Sequence, residues 1–280
     1  MHKKTFTNKT RKAFSLIELS IVLIIIGLLV AGVTGGASLI KNAELRGIAA
    51  EARGYQTAVN SFFAKYSGLP GDLPNAIGTQ SGAAVGNNDG LISFIAPIAG
   101  PASKMEGNTA WQMLKNDNFV SDSFTPATAD APSTTTWTTA LTGGSNVPAS
   151  KSKNGAWAFD NITPTGAGMS AQNVVVIFGG STTAGVGTLT ASTAYSMVST
   201  PTAALTAASS ASALGNAQLL ATDAFSIDSK VDDGAPNTGK VTALLGAAGN
   251  CTTATTAAGL YTTATAYRAC ALAFQVDPNS

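Results

Sequence analysis

One carboxylate inside an apolar run constrains this chain more than any other feature. A basic stretch ends at Lys12, and residues 13–33 then read AFSLIELSIVLIIIGLLVAGV, with Glu18 as the one charged side chain among them. From Phe14 to about Leu39 the run is long enough to cross a bilayer core, which takes roughly 20 residues. An ionised carboxylate at the centre of such a helix costs about 2.5–3.5 kcal/mol on insertion scales, so Glu18 reads as functional by default. The lysines and arginines ahead of the run keep that end cytoplasmic and place the C-terminal bulk outside. A secretory signal peptide is the competing reading: it too has a basic region followed by an apolar one, with Val30-Ala31-Gly32 as its small-residue cleavage site. Glu18 would then interrupt the apolar region near its start.

Residue types, order and spacing in this segment resemble the N-terminus of type IV prepilins and the related type II secretion pseudopilins. There a short basic leader is cut just before a Phe, and a Glu lies four residues after the new N-terminus. The resemblance implies cleavage by a prepilin peptidase between Ala13 and Phe14 and methylation of the new amine. It also implies that Glu18 of one subunit pairs with the Phe14 ammonium of the next. The residue before the cut is usually Gly in that family and is Ala13 here. Pairing would remove most of the penalty each charge carries alone in hydrocarbon and would fix axial register.

Composition agrees with an exported protein. Charged residues make up only 11% of the 280, and Gly, Ala, Ser and Thr dominate the second half. Five of the 16 basic residues (Lys3, Lys4, Lys9, Arg11, Lys12) precede the expected cut, leaving 11 basic against 15 acidic, a net of −4. Nucleic-acid binding, which leans on dense Lys and Arg, is not expected. The one histidine is His2, in the leader, so a mature chain has no Ser-His or Cys-His mechanism available. No P-loop or dinucleotide fingerprint is present, and the chain is not read as an enzyme.

After Lys41 the pattern becomes amphipathic. Leu45, Ile48, Ala52, Tyr55, Val59, Phe62 and Tyr66 recur at spacings of 3 and 4 and share one helical face, with Glu44, Arg46, Glu51, Arg53, Gln56 and Lys65 opposite. One helix is therefore expected from near Phe14 to near Tyr66, about 80 Å long. Two helices broken at Gly35-Gly36 are the alternative. Two prolines and two glycines between Ser67 and Pro74 end the helix. The segments YSGLPGDLPNA, GNNDGLI and ME-x-x-x-AW (Met105 to Trp111) resemble a subgroup of prepilin-like proteins with a larger head. A short amphipathic helix is expected around Asn108 to Asn116, with Trp111 and Leu114 inward. Strands are expected at Ala156 to Phe159, at Val174 to Phe178 closed by Gly179-Gly180, and at Cys270 to Val276. The Thr/Ala/Ser/Gly-rich stretches Ser181 to Ser212 and Ala247 to Ala266 read as loops and edge strands.

Cys251 and Cys270 both fall on the outer side, where an oxidising compartment makes a disulfide the default and free thiols or metal ligands the alternatives. Many type IV pilins pin their C-terminal region in this way. Some pseudopilins bind calcium in the head, and Asp228, Asp232 and Asp233 with Gly234 are candidate ligands for that ion. Asn87 and Asp89 form a second candidate. The same residues also have purely structural readings. Ala224, Ile227 and Val231 form a helical stripe with Thr222 as N-cap and Gly234 as C-cap, and Asn87-Asn88-Asp89-Gly90 is an Asx-type turn.

The expected fold is α+β: a long N-terminal helix, its first half transmembrane, packed by its second half on an antiparallel sheet head. Residues 1–13 form the leader, 14–66 the helix (about 14–39 membrane-spanning) and 67–280 the extracytoplasmic head. The expected function is that of a structural subunit of a type IV pilus or type II secretion pseudopilus. Its partners would be identical or related pilin subunits, prepilin peptidase and the inner-membrane assembly platform. A single-pass anchored adhesive protein that never polymerises is the alternative.

Overall fold

The computed structural model describes residues 15–74, 86–92, 106–126, 141–152, 155–162, 172–179, 188–189, 218–245, 251–253, 259–265 and 268–278. Ala13, Phe14, Met105, Gly180 and most of the stretch from Ser181 to Ser212 lie outside them. Two compact units divide the chain, Met1–Ala43 and Glu44–Ser280.

Helix α1 (Leu16–Tyr66) is unbroken and passes through Gly27, Gly32, Gly35 and Gly36. Its start is fixed by a capping box. Ser15 accepts the first intrahelical bond from Leu19 N at 3.2 Å, and its Oγ faces Ile17 N at 3.4 Å. Glu18 Oε2 accepts the Ser15 amide at 2.9 Å. Around Pro70 the chain turns back through Ser67 (φ 55°) and Gly71 (φ 87°). A side chain at Gly71 would collide with the Glu106 carbonyl, so only glycine fits there.

The remaining elements are α2 (Glu106–Asn116), β1 (Leu141–Thr142), β2 (Gly155–Ile162), β3 (Gln172–Gly179), β4 (Thr188–Leu189), α3 (Ala221–Val231), β5 (Val241–Leu245) and β6 (Cys270–Gln275). Strands β2, β3, β6 and β5, in that order, form one antiparallel sheet; β1 and β4 form a small second one. Register aligns Trp157 with Ile177, Val175 with Phe274 and Ala243 with Leu272. The face these residues share packs against α1 and α2. Trp111 of α2 lies between Tyr55, 5.0 Å away, and Phe159, 4.2 Å away. Tyr55 also packs edge-on against Trp157 at 5.6 Å. Leu45, Ile48, Ala52, Tyr55, Val59 and Phe62 of α1 are buried, as their spacing predicts.

The structure differs from the sequence-based expectation in several places. The solvent face assigned to α1 includes Glu44 and Glu51, yet both are half-buried and bonded to the head. Helix α2 is buried from Glu106 to Leu114 rather than on one side. The sheet is covered on both faces, since Ala156, Ala158, Val174, Val176, Ala271 and Ala273 are as buried as their neighbours. Strand β5 has no counterpart among the strands the sequence pattern predicts. At α3 the N-cap is Leu220, without a side-chain cap, and not Thr222; the C-cap is Asp232, and Gly234 lies two residues beyond.

Candidate functional site

The described part of the first unit is bare apolar helix. From Leu16 to Ile40 its large hydrophobic side chains are exposed, Leu16 to 88% and Ile40 to 72%. No described helix but α1 is long and apolar enough to cross a membrane, by length and composition. So much contiguous apolar surface requires lipid or protein to cover it. Glu18 sits at the mouth of this helix, and its carboxylate is held against the backbone of Ser15, the residue next to Phe14. The Ser-x-x-Glu spacing that signals such a cap is legible in the sequence but is masked by the stronger reading of Glu18 as an assembly residue. Ala13 and Phe14 themselves lie outside the described residues.

In the second unit α1 is joined to the sheet by polar contacts as well as by the core. Glu51 accepts three donors: the Ser150 hydroxyl at 2.8 Å, the Lys151 amide at 2.8 Å and the Trp157 indole at 3.2 Å. Glu44 accepts the Ser152 hydroxyl at 3.0 Å. Burial holds the Glu51 carboxyl above the usual carboxylate range, despite the lowering effect of its three donors. Tyr55 donates to Asp122 at 3.1 Å, and burial together with that carboxylate pushes the phenol upward. The sequence pattern misses both glutamates because their donors come from a turn about 100 residues later.

Asn87 and Asp89 fall in a loop organised by Asp72. The Asp89 and Gly90 amides donate to Asp72 at 3.0 and 2.9 Å. Asn87 Nδ2 donates to Asp89 Oδ2 at 2.7 Å, and Asn87 Oδ1 accepts the Asp89 amide at 3.0 Å. Asp89 Oδ1 accepts Leu91 N at 2.9 Å. The Asp89 amide on Asn87 Oδ1 and the Leu91 amide on Asp89 Oδ1 are the bonds of two successive Asx-type turns. Asn173 of β3 then ties this loop to the C-terminus. It accepts Ile92 N at 2.6 Å and donates to Gly90 O at 3.0 Å and Asp277 Oδ1 at 2.6 Å.

Asp228, Asp232 and Asp233 are brought together, each offering an oxygen within 4.8 Å of the others. Each also closes the turn after α3. Asp228 Oδ2 accepts the Tyr261 hydroxyl at 2.8 Å. Asp233 accepts Ala235 N at 2.8 Å and the Thr238 hydroxyl at 2.7 Å. Asp232 Oδ2 accepts the amides of Lys240 and Val241. Gly239 (φ 76°) has no room for a side chain against that carboxylate. Burial first, and the carboxylates of Asp233 and Asp232 beside it, push the Asp228 carboxyl up to about 7. Calcium takes six to eight oxygens. Three acids whose oxygens already accept protein donors suit a hydrogen-bonded turn better than that shell.

Cys251 and Cys270 form a disulfide with Cα atoms 4.9 Å apart. It joins β6 to the segment where Thr252 bridges Tyr261, next to the hydroxyl that meets Asp228.

No curated protein and no solved structure matches this chain. Residues 8–34 match the family model described as the prokaryotic N-terminal methylation motif. That span contains Ala13, Phe14, the Ser15 cap, Glu18 and the first part of the exposed helix. The chain thus carries a prepilin-type cleavage and methylation motif, set on a long helix and antiparallel sheet of pilin-like α+β architecture.

Proposed function

We propose that this chain is a structural subunit of a type IV pilus or type II secretion pseudopilus filament. The supporting observation is that one continuous helix serves two environments. Its first part, Leu16 to Ile40, is exposed and apolar, while Leu45 to Phe62 belong to the core of the head. In the membrane, lipid covers the first part; in a filament, the same helix of neighbouring subunits does. On this reading residues 1–13 are a leader removed by prepilin peptidase, and about 14–39 span the inner membrane with the N-terminus cytoplasmic. Residues 67–280 complete the head outside. After cleavage Glu18 is four residues from the Phe14 ammonium. Its bond to the Ser15 amide holds the carboxylate at the helix entrance, where an incoming Phe14 ammonium from another subunit would meet it.

Intact-mass and N-terminal peptide analysis of protein from its native membrane tests the processing step. The expected chain begins at methylated Phe14. A chain beginning after Gly32 would replace this reading with the secretory one.

A further inference from the structure

Two unlike surfaces flank α3. On one side, between α3 and the second half of α1, lies a groove of about 210 Å³. Leu45, Ala49 and Ala50 contribute to its walls, and Arg46, Arg53 and Lys230 bring three cations to it. Lys230 Nζ contacts Ser226 Oγ at 3.1 Å. Among the described residues neither arginine side chain has an ion-pair partner. At the other side lies a knob. Outside the apolar span, Phe225 (45%) and Leu260 (67%) are the large hydrophobic residues left exposed among the described residues. They share one corner: the Phe225 ring packs on Tyr261 at 5.9 Å, next to Leu260. Asp228, at the bottom of the acidic cluster, bonds the same Tyr261, so Asp232 and Asp233 stand beside this apolar pair.

Knob and groove complement each other: an apolar pair beside carboxylates, and an apolar-walled slot edged by cations. Phe225 and Ser226 are consecutive on one helix, about 100° apart, so a chain cannot fold its own knob into its own groove. We infer that the Phe225–Leu260 knob of one subunit seats in the Arg46–Arg53–Lys230 groove of a second copy of this chain. The patches differ, so each contact leaves one knob and one groove free. Such a heterologous contact propagates instead of closing as a two-fold pair, and opposite charges set its register. The inference rests on the filament reading and names the head surfaces that would mate within it.

The test is a charge exchange at two exposed positions in the full chain, read as the yield of sheared filaments. Leu260→Lys sets a cation against three others and should lower the yield about tenfold, equivalent to roughly 1.4 kcal/mol per contact. Leu260→Glu removes the same leucine but suits the groove and should lose far less. Combining Leu260→Lys with Arg53→Glu should restore most of the yield. A photo-reactive residue at Leu260, in filaments of mixed isotopic labelling, should cross-link to residues 45–53 or 226–231 of another copy. Equal effects of Lys and Glu, no rescue, or adducts only to lipid or to other surfaces would overturn the inference while leaving the filament intact. Absence of wild-type filaments would overturn the filament reading itself, and this inference with it.

Discussion

The carboxylate of Glu51 accepts the indole N–H of Trp157 at 3.2 Å, which fastens α1 to the edge of the sheet through a polar bond beneath an aromatic cluster. The same carboxylate holds the Ser150 hydroxyl and the Lys151 amide. Glu51→Ala would leave these donors, including an indole on a fully buried Trp157, without their acceptor. Chemical unfolding of the detergent-solubilised chain should show a loss of about 1–3 kcal/mol. Arg53→Ala, two residues on and exposed, should stay within about 0.5 kcal/mol. Equal effects of the two would remove the role given to Glu51.

The acidic turn after α3 makes stability depend on pH. Asp228 titrates near 7 in the fold and near 3.9 when unfolded, so between those values the native state binds the extra proton. Stability from this group is fully present below about pH 4 and is lost as pH rises through 7. Burial raises Glu51 and Asp72 also, so they act with the same sign. Melting of the wild type should therefore drop between pH 5 and pH 8, and Asp228→Asn should flatten that drop. A wild type more stable at pH 8 than at pH 5, with Asp228→Asn unchanged from it, would contradict the assignment.

Calcium should leave the head indifferent. Asp232 and Asp233 already accept Lys240, Val241, Ala235 and Thr238. Melting curves at pH 7.5 with chelator and with millimolar calcium should coincide. A rise in midpoint with calcium that Asp232→Ala abolishes would instead mark these carboxylates as ligands.

Much of this was legible in the sequence, and the exceptions have physical causes. The stripe from Leu45 to Phe62 repeats at helical spacing because one face meets a sheet. Val174 to Phe178 is uniformly apolar because both sides of β3 are covered. The disulfide joins the two cysteines of the sequence, as expected of an exported chain. Long-range polar contacts left no such trace. Glu44 and Glu51 look like solvent-facing charges until the turn at Ser150 to Ser152 is brought against them. Glu106, Asn108, Thr109 and Gln112 give α2 a polar face, yet all are buried. Strand β5 is five residues of V-T-A-L-L, too short for its period to separate it from the Ala-rich segment that follows.

The disulfide should matter locally more than globally. Cys251–Cys270 closes a sequence separation of 19 residues beside the Tyr261–Asp228 bond. Loop entropy assigns such a constraint about 3 kcal/mol. In Cys270→Ser, limited proteolysis should first cut between Cys251 and Cys270, with β2 and β3 still protected. Simultaneous loss of the whole head would mean the bond supports the entire sheet.

Glu18 stands at the entrance of an exposed apolar helix, bonded to the Ser15 amide. Wild-type and Glu18→Ala chains should insert equally into membranes, since the substitution removes a costly charge. Shearing the cells and pelleting the released filaments separates assembled from membrane-held protein. Wild-type chain should appear in the filament pellet, beginning at methylated Phe14, with Glu18→Ala confined to the membrane fraction. Wild-type chain held only in the membrane, or Glu18→Ala recovered in filaments at the wild-type level, would contradict an assembly role for Glu18.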